Sequence, residues 1–111
     1  MRCDKYILKG REVVPEPDIL AWARWFENGE NRRIANTEIG GITISTIFLS
    51  LDIGVGTEHP ILFETMIFDQ NFKSIDNYQQ RYSTYEQAEQ GHKKAVEKVR
   101  ARLKQDKEQQ D

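Results

Sequence analysis

The sequence predicts an α+β fold: an antiparallel sheet, made of a short N-terminal hairpin plus a three-strand meander, with two helices packed on one face in the order ββαβββα. Three observations carry this expectation. Residues 42–51 and 61–68 are dense in β-branched and aromatic side chains and are separated by a polar, Gly-containing connection. Residues 17–28 and 83–103 instead repeat apolar residues at helical spacing. Lys9-Gly10-Arg11-Glu12 and Gly40-Gly41 supply tight turns between the remaining short strands.

In chain order, Tyr6-Ile7-Leu8 and Val13-Val14 form the first hairpin, short and expected at a sheet edge. Pro17 suits the first position of a helix and Asp18 complements its positive end. Ile19, Trp22, Ala23 and Phe26 share one helical face with Trp25 alongside, and Asn28-Gly29 stops the helix. So much aromatic surface on about three turns predicts firm docking. Residues 34–39 read as a strand that turns at Gly40-Gly41 into the central hairpin. Pairing Leu51 with Ile61 puts Ile47, Leu49, Leu51, Ile61, Phe63, Thr65 and Ile67 on the core face. The opposite, mixed face then carries Ile44, Thr46, Phe48, Ser50, Leu62, Glu64, Met66 and Phe68, and a one-residue slip would exchange the faces.

Residues 72–82 read as a loop packed by Phe72, Ile75, Tyr78 and Tyr82. Ser83-Thr84-Tyr85-Glu86 has the capping-box pattern. Behind it Tyr85, Ala88, His92, Ala95, Val96, Val99 and Leu103 form one apolar stripe. Residues 104–111 contain no apolar side chain and are expected to be a disordered tail on a single domain of residues 1–103.

A net charge of −2 over 111 residues weighs against a general nucleic-acid binder. One cysteine, Cys3, excludes an internal disulfide and a Cys-based zinc cage. No run approaches the ~18 apolar residues of a membrane span, so a cytoplasmic setting is expected.

Candidate chemistry is sparse. Glu64 lies mid-strand, with Asp52, Glu58 and His59 in the adjoining connection, but no HxH, HExxH or DxD spacing accompanies them. Glu64 is expected to pair with Arg24, Arg32, Arg33 or Arg81. His92 is expected to be buried and bonded to a backbone or carboxylate group. Gly91 before it predicts close approach of helix to sheet, since glycine inside a helix costs roughly 1 kcal/mol. Walker, GxGxxG and GxSxG patterns are absent, and no catalytic residue, cofactor site or metal ligand is assigned. Lys94, Lys98 and Arg102 give the last helix a basic face, favourable near a helix C-terminus. The order helix–three strands–helix is shared with double-stranded-RNA-binding domains. Those place lysines at the start of the last helix, where this chain has Thr84-Tyr85-Glu86, so the agreement reads as topological coincidence.

Arg24-Trp25-Phe26-Glu27, Ser45-Thr46-Ile47-Phe48-Leu49 with Leu51-Asp52, Leu62-Phe63-Glu64-Thr65-Met66-Ile67-Phe68, and Arg81-Tyr82-Ser83-Thr84-Tyr85-Glu86-Gln87-Ala88 with Gly91-His92 form a distinctive set. Together they resemble a family of small, uncharacterised proteins encoded by tailed phages and prophages. Relatives often carry a histidine after the aspartate, where this chain has Ile53. The resemblance implies a phage origin and an intracellular setting during infection, and supplies no activity to carry over.

The expected function is a non-enzymatic interaction module that binds a host or phage protein, as an inhibitor of a host system. Its candidate contact surface is Trp25, Phe48, Met66, Tyr78, Arg81 and Tyr82, because aromatics, Met and Arg dominate interface cores. A homo-oligomeric accessory protein, pairing as a homodimer, and nucleic-acid binding through the basic helix are the alternatives.

Overall fold

The computed structural model describes residues 3–54 and 58–109. Residues 55–57 of the predicted connection and 110–111 of the predicted tail lie outside the described residues. The fold is α+β, as the sequence predicts, with one strand more and two sheets.

β1 (Tyr6–Lys9) and β2 (Glu12–Pro15) pair around Gly10-Arg11. They stand as a separate two-stranded sheet instead of joining the edge of the main one. The hairpin is tied to the rest where the Tyr6 N–H donates to the Ser50 carbonyl at 2.8 Å and Lys5 bridges Leu51.

α1 (Ile19–Glu27) begins two residues later than the sequence suggests, because Asp18 is its cap. The Asp18 carboxylate accepts from the Leu20 and Ala21 N–H groups at 3.0 and 3.3 Å, which satisfies donors the helix cannot. Docking is looser than predicted: no residue of α1 is fully buried, and Ile19 and Leu20 face solvent. Trp25 meets the edge of Phe48 at 5.6 Å, and the Trp22 indole N–H donates to the Ser50 carbonyl at 3.3 Å. A short 3₁₀ turn, Gly29–Arg32, leads into the main sheet.

That sheet is an antiparallel meander of β3 (Arg33–Ile39), β4 (Ile42–Phe48), β5 (Phe63–Phe68) and β6 (Ser74–Tyr82). Gly40 and Gly41 have φ of 57° and 81°. Such a turn follows the twist of the flanking strands and is open to few residues besides glycine. The register pairs Ile44 with Ile67, Thr46 with Thr65 and Phe48 with Phe63. This is one residue away from the Leu51–Ile61 pairing. On β5 the core face is the predicted one, but on β4 it is Ile44, Thr46 and Phe48 that point inward. Ser50, with φ of 67°, turns the chain so that Leu51 bridges Lys5 and leaves the hairpin.

β6 occupies the segment expected to be a loop. Asp76 and Asn77 adopt φ of 55° and 52°, and the pairing with β5 is irregular between Met66 and Phe68. The bulge leaves the half-buried Ile75 and Tyr78 three residues apart, which hides the two-residue strand period. Phe72, expected to pack the loop, is 84% exposed at the turn before β6.

α2 (Tyr85–Gln109) roofs the inner face of the sheet. Its Ala88, Ala95 and Val99 are buried, and two apolar clusters lie beneath it. One centres on Tyr6, Phe48, Leu62, Phe63 and Ala88, the other on Ile44, Ile67, Ala95 and Val99. Each fully buried Phe, Leu or Ile contributes ~1.5–3 kcal/mol against exposure. The helix start is capped by Thr84 and Gln87, one residue beyond the predicted pair. The Thr84 hydroxyl accepts from the Gln87 N–H at 3.1 Å, while Gln87 Oε1 accepts from the Ser83 and Thr84 N–H groups. The helix also continues past Leu103 to Gln109. Lys104, Gln105 and Lys107 are good helix formers, and a cation in the last turn suits the dipole, so a polar run need not end a helix.

Candidate functional site

The pleat alternates side chains between faces, and this separates the residues that the sequence offers for chemistry. Thr65 points inward and Glu64, its neighbour, points outward.

On the inner side His92 is 7% exposed. Its Nδ1 lies 2.7 Å from the Thr46 hydroxyl and its Nε2 2.9 Å from the Thr37 hydroxyl, and Thr46 in turn lies 2.6 Å from Thr65 Oγ1. The partners are hydroxyls, where the sequence suggested a backbone or carboxylate group. A hydroxyl both donates and accepts, so a neutral imidazole is satisfied at both nitrogens. Burial lowers the His92 pKa below the ordinary imidazole value. The network binds α2 to β3, β4 and β5 from inside the core.

On the outer side Glu64 Oε2 accepts from Arg81 Nε at 3.0 Å and from Gln79 Nε2 at 2.9 Å. Of the four arginines considered, Arg81 is the partner. Asp52 is engaged elsewhere: its Oδ1 accepts from the Gly54 and Ile61 N–H groups at 2.8 and 3.0 Å, which folds the connection back on itself. Glu64, His92 and Asp52 therefore belong to three different environments. Among the described residues, no three His, Cys, Asp or Glu side chains gather as a metal site would require.

The candidate contact residues are also dispersed. Phe48 is fully buried and cannot be contact surface, because α1 and Phe63 close over it. Trp25 is half-buried against it, and Met66 lies on the outer face opposite Ser45 and Gln79. Tyr78, Arg81 and Tyr82 do come together, on β6. They help to line an open groove of about 750 Å³ between that strand and α2. Gln80 belongs to the strand wall, and Gln87, Gln90 and Lys94 form the helix wall.

Two features shape this groove. At Gly91 any Cβ would overlap the Tyr82 phenol ring, so helix and strand approach closely there, as the glycine suggested. The Tyr82 hydroxyl is buried without a partner. Further along, the Lys98 ammonium lies 5.2 Å from the Tyr78 ring centroid, and Arg102 pairs with Asp76 at 2.7 Å. Burial, and then the neighbouring Tyr82, raise the Tyr78 pKa. The basic residues at 94, 98 and 102 thus follow the same flank of α2 that faces β6. Among the described residues, β6 has β5 on one side and no strand on the other, so its outer edge offers unpaired backbone groups.

Gln80, Gln87 and Gln90 were not legible as site residues. The only hint was the glycine at 91, since a groove wall built from amides on a segment read as a loop carries no distinctive pattern.

No helix of the described residues is long and apolar enough to cross a membrane. No family model, curated protein or solved structure matches this chain.

Proposed function

We propose that the protein is a non-enzymatic interaction module that seats a protein partner along β6, in the groove between that strand and α2. The observation that carries this reading is the unpaired edge of β6 lying beside an open groove of about 750 Å³. An added strand gains main-chain hydrogen bonds from such an edge and side-chain contacts from the adjoining helix. The dispersal of Glu64, His92 and Asp52 favours docking over catalysis. With the sequence resemblance, the partner is a host or phage protein met in the cytoplasm during infection, and the effect is inhibition of a host system.

The full chain, used as bait in a lysate of phage-infected cells, should retain one stoichiometric protein. Gln90→Trp, which fills the groove from an exposed helix position, should release it. Recovery of nucleic acid alone, or equal capture by the Gln90→Trp variant, ends this reading. The same edge favours a second reading, a homodimer joined β6 to β6. Sedimentation at micromolar concentration distinguishes the two, since a strict monomer eliminates the homodimer.

A further inference from the structure

We infer that the β6 groove selects an extended peptide segment carrying acidic side chains at alternate positions, with its carboxylates against Lys94 and Lys98. The inference rests on the reading of that groove as the docking site and adds the chemistry of its occupant.

Charge comes first. Arg81 at the strand wall is committed to Glu64, and Arg102 to Asp76. Glu86, at the other end of the helix wall, lies 3.8 Å from Arg11. Among the described residues, neither Lys94 nor Lys98 has a carboxylate within ion-pair distance. Lys98 instead lies over the Tyr78 ring, and both ammonium groups sit on exposed residues. Lys94 on the helix wall and Lys98 one turn beyond it thus present two uncompensated cations along the flank of α2 that faces β6, although the chain as a whole is net negative. That contrast points to a local match more than to attraction of any anion by the whole molecule.

Spacing comes second. Tyr82 packs at Gly91 and Tyr78 at Lys98, so β6 and α2 run antiparallel and Lys94 falls level with Gln80. Four helical residues rise ~6 Å, the separation of Lys94 from Lys98 along the axis. Two residues of an added strand advance ~6.7 Å and point to the same side. A strand paired to residues 78–82 therefore brings every second side chain to the helix wall at nearly the interval of the two lysines. Acidic residues at positions i and i+2 satisfy both cations without distortion. The bulge at Asp76-Asn77 limits the regular edge to about those five residues, which sets the length of the recognised segment.

The test is selection of a random nine-residue peptide library on the immobilised full chain, followed by titration of the selected peptides. The expected result is enrichment of Asp or Glu at alternate positions. Binding should weaken at least tenfold in K94E/K98E, and the neutral K94Q/K98Q should fall between it and the unaltered protein. Circular dichroism should show all three folded alike, since neither lysine makes an ion pair. Amide shifts on peptide addition should concentrate on residues 78–82. Peptides without the acidic alternation, or binding unchanged by charge reversal yet lost in Gln90→Trp, would overturn the acidic chemistry while leaving groove docking intact. Failure of any peptide to enrich, displacement of the selected peptides by a nine-nucleotide single-stranded RNA, or a β6-paired dimer that excludes peptide would overturn the inference outright.

Discussion

Gly91 of α2 rests directly against the phenol ring of Tyr82 on β6, with no room for a side chain between them. An alanine at 91 would gain ~1 kcal/mol of helix propensity. Against that, overpacking against a ring costs ~1–3 kcal/mol. Gly91→Ala is therefore expected to lower stability by a net of up to ~2 kcal/mol in urea unfolding. In a Tyr82→Ala background the same change should turn neutral or stabilising, because the ring is gone. Tyr82→Phe, which removes a buried hydroxyl lacking a partner, should raise stability by about 1 kcal/mol.

The start of α2 separates two capping schemes that differ by one residue. Thr84→Ala and Gln87→Ala should each lower the melting temperature, with Thr84→Ala costing about 1 kcal/mol. Glu86→Ala, the partner that Ser83 would need, should change stability by no more than about 0.5 kcal/mol. A larger loss at Glu86 than at Gln87 would contradict the observed cap.

His92 makes stability depend on pH with a definite sign. Its folded pKa is lowered by burial, so the unfolded chain takes up the proton first as pH falls. The stabilisation is fully present above the ordinary imidazole value of ~6.5. It declines as pH drops through that value toward the folded one, by at most ~1.4 kcal/mol per pH unit. Unfolding free energies at pH 7.5 and 5.5 should fall more steeply for the unaltered protein than for His92→Gln. Thr46→Val, which strips the hydroxyl from both His92 and Thr65, should cost ~1–3 kcal/mol at pH 7.5.

The Glu64–Arg81 pair is only half shielded, with the Arg81 side chain 46% exposed. Glu64→Gln is accordingly expected to cost about 1 kcal/mol or less. A double-mutant cycle with Arg81→Gln should give a coupling of similar size. A loss of several kcal/mol would mean the pair is far more secluded than its geometry indicates.

Much of this architecture is legible in the residues, and the failures have particular causes. Gly40-Gly41 names its own turn, Asp18 and Asn28 bracket the first helix, and the alternation of Phe63, Thr65 and Ile67 identifies the core face of β5. The β4 register was missed because Leu49 and Leu51, which lie beyond the end of the strand, lend apolar weight to the face of Ile47, while Ser50 turns the chain before Leu51 can pair. Thr46 lies inside, where His92 and Thr65 satisfy its hydroxyl, and such satisfaction is invisible before the chain is folded. β6 was missed because the left-handed pair Asp76-Asn77 resets its alternation. Its polar Gln79-Gln80-Arg81 belong to an edge strand that buries only one side. Since that strand forms one wall of the groove, the candidate site went unread with it. Tyr78, Arg81 and Tyr82 are legible as candidate contact surface, while the groove they line with α2 is not.

Amide chemical-shift mapping of the isotope-labelled full chain, with and without the protein captured from infected cells, tests the central claim most directly. Docking in the groove predicts that the largest changes cluster at residues 78–82 and 87–94. Changes confined to the outer sheet face, around Ser45, Met66 and Phe68, would contradict it.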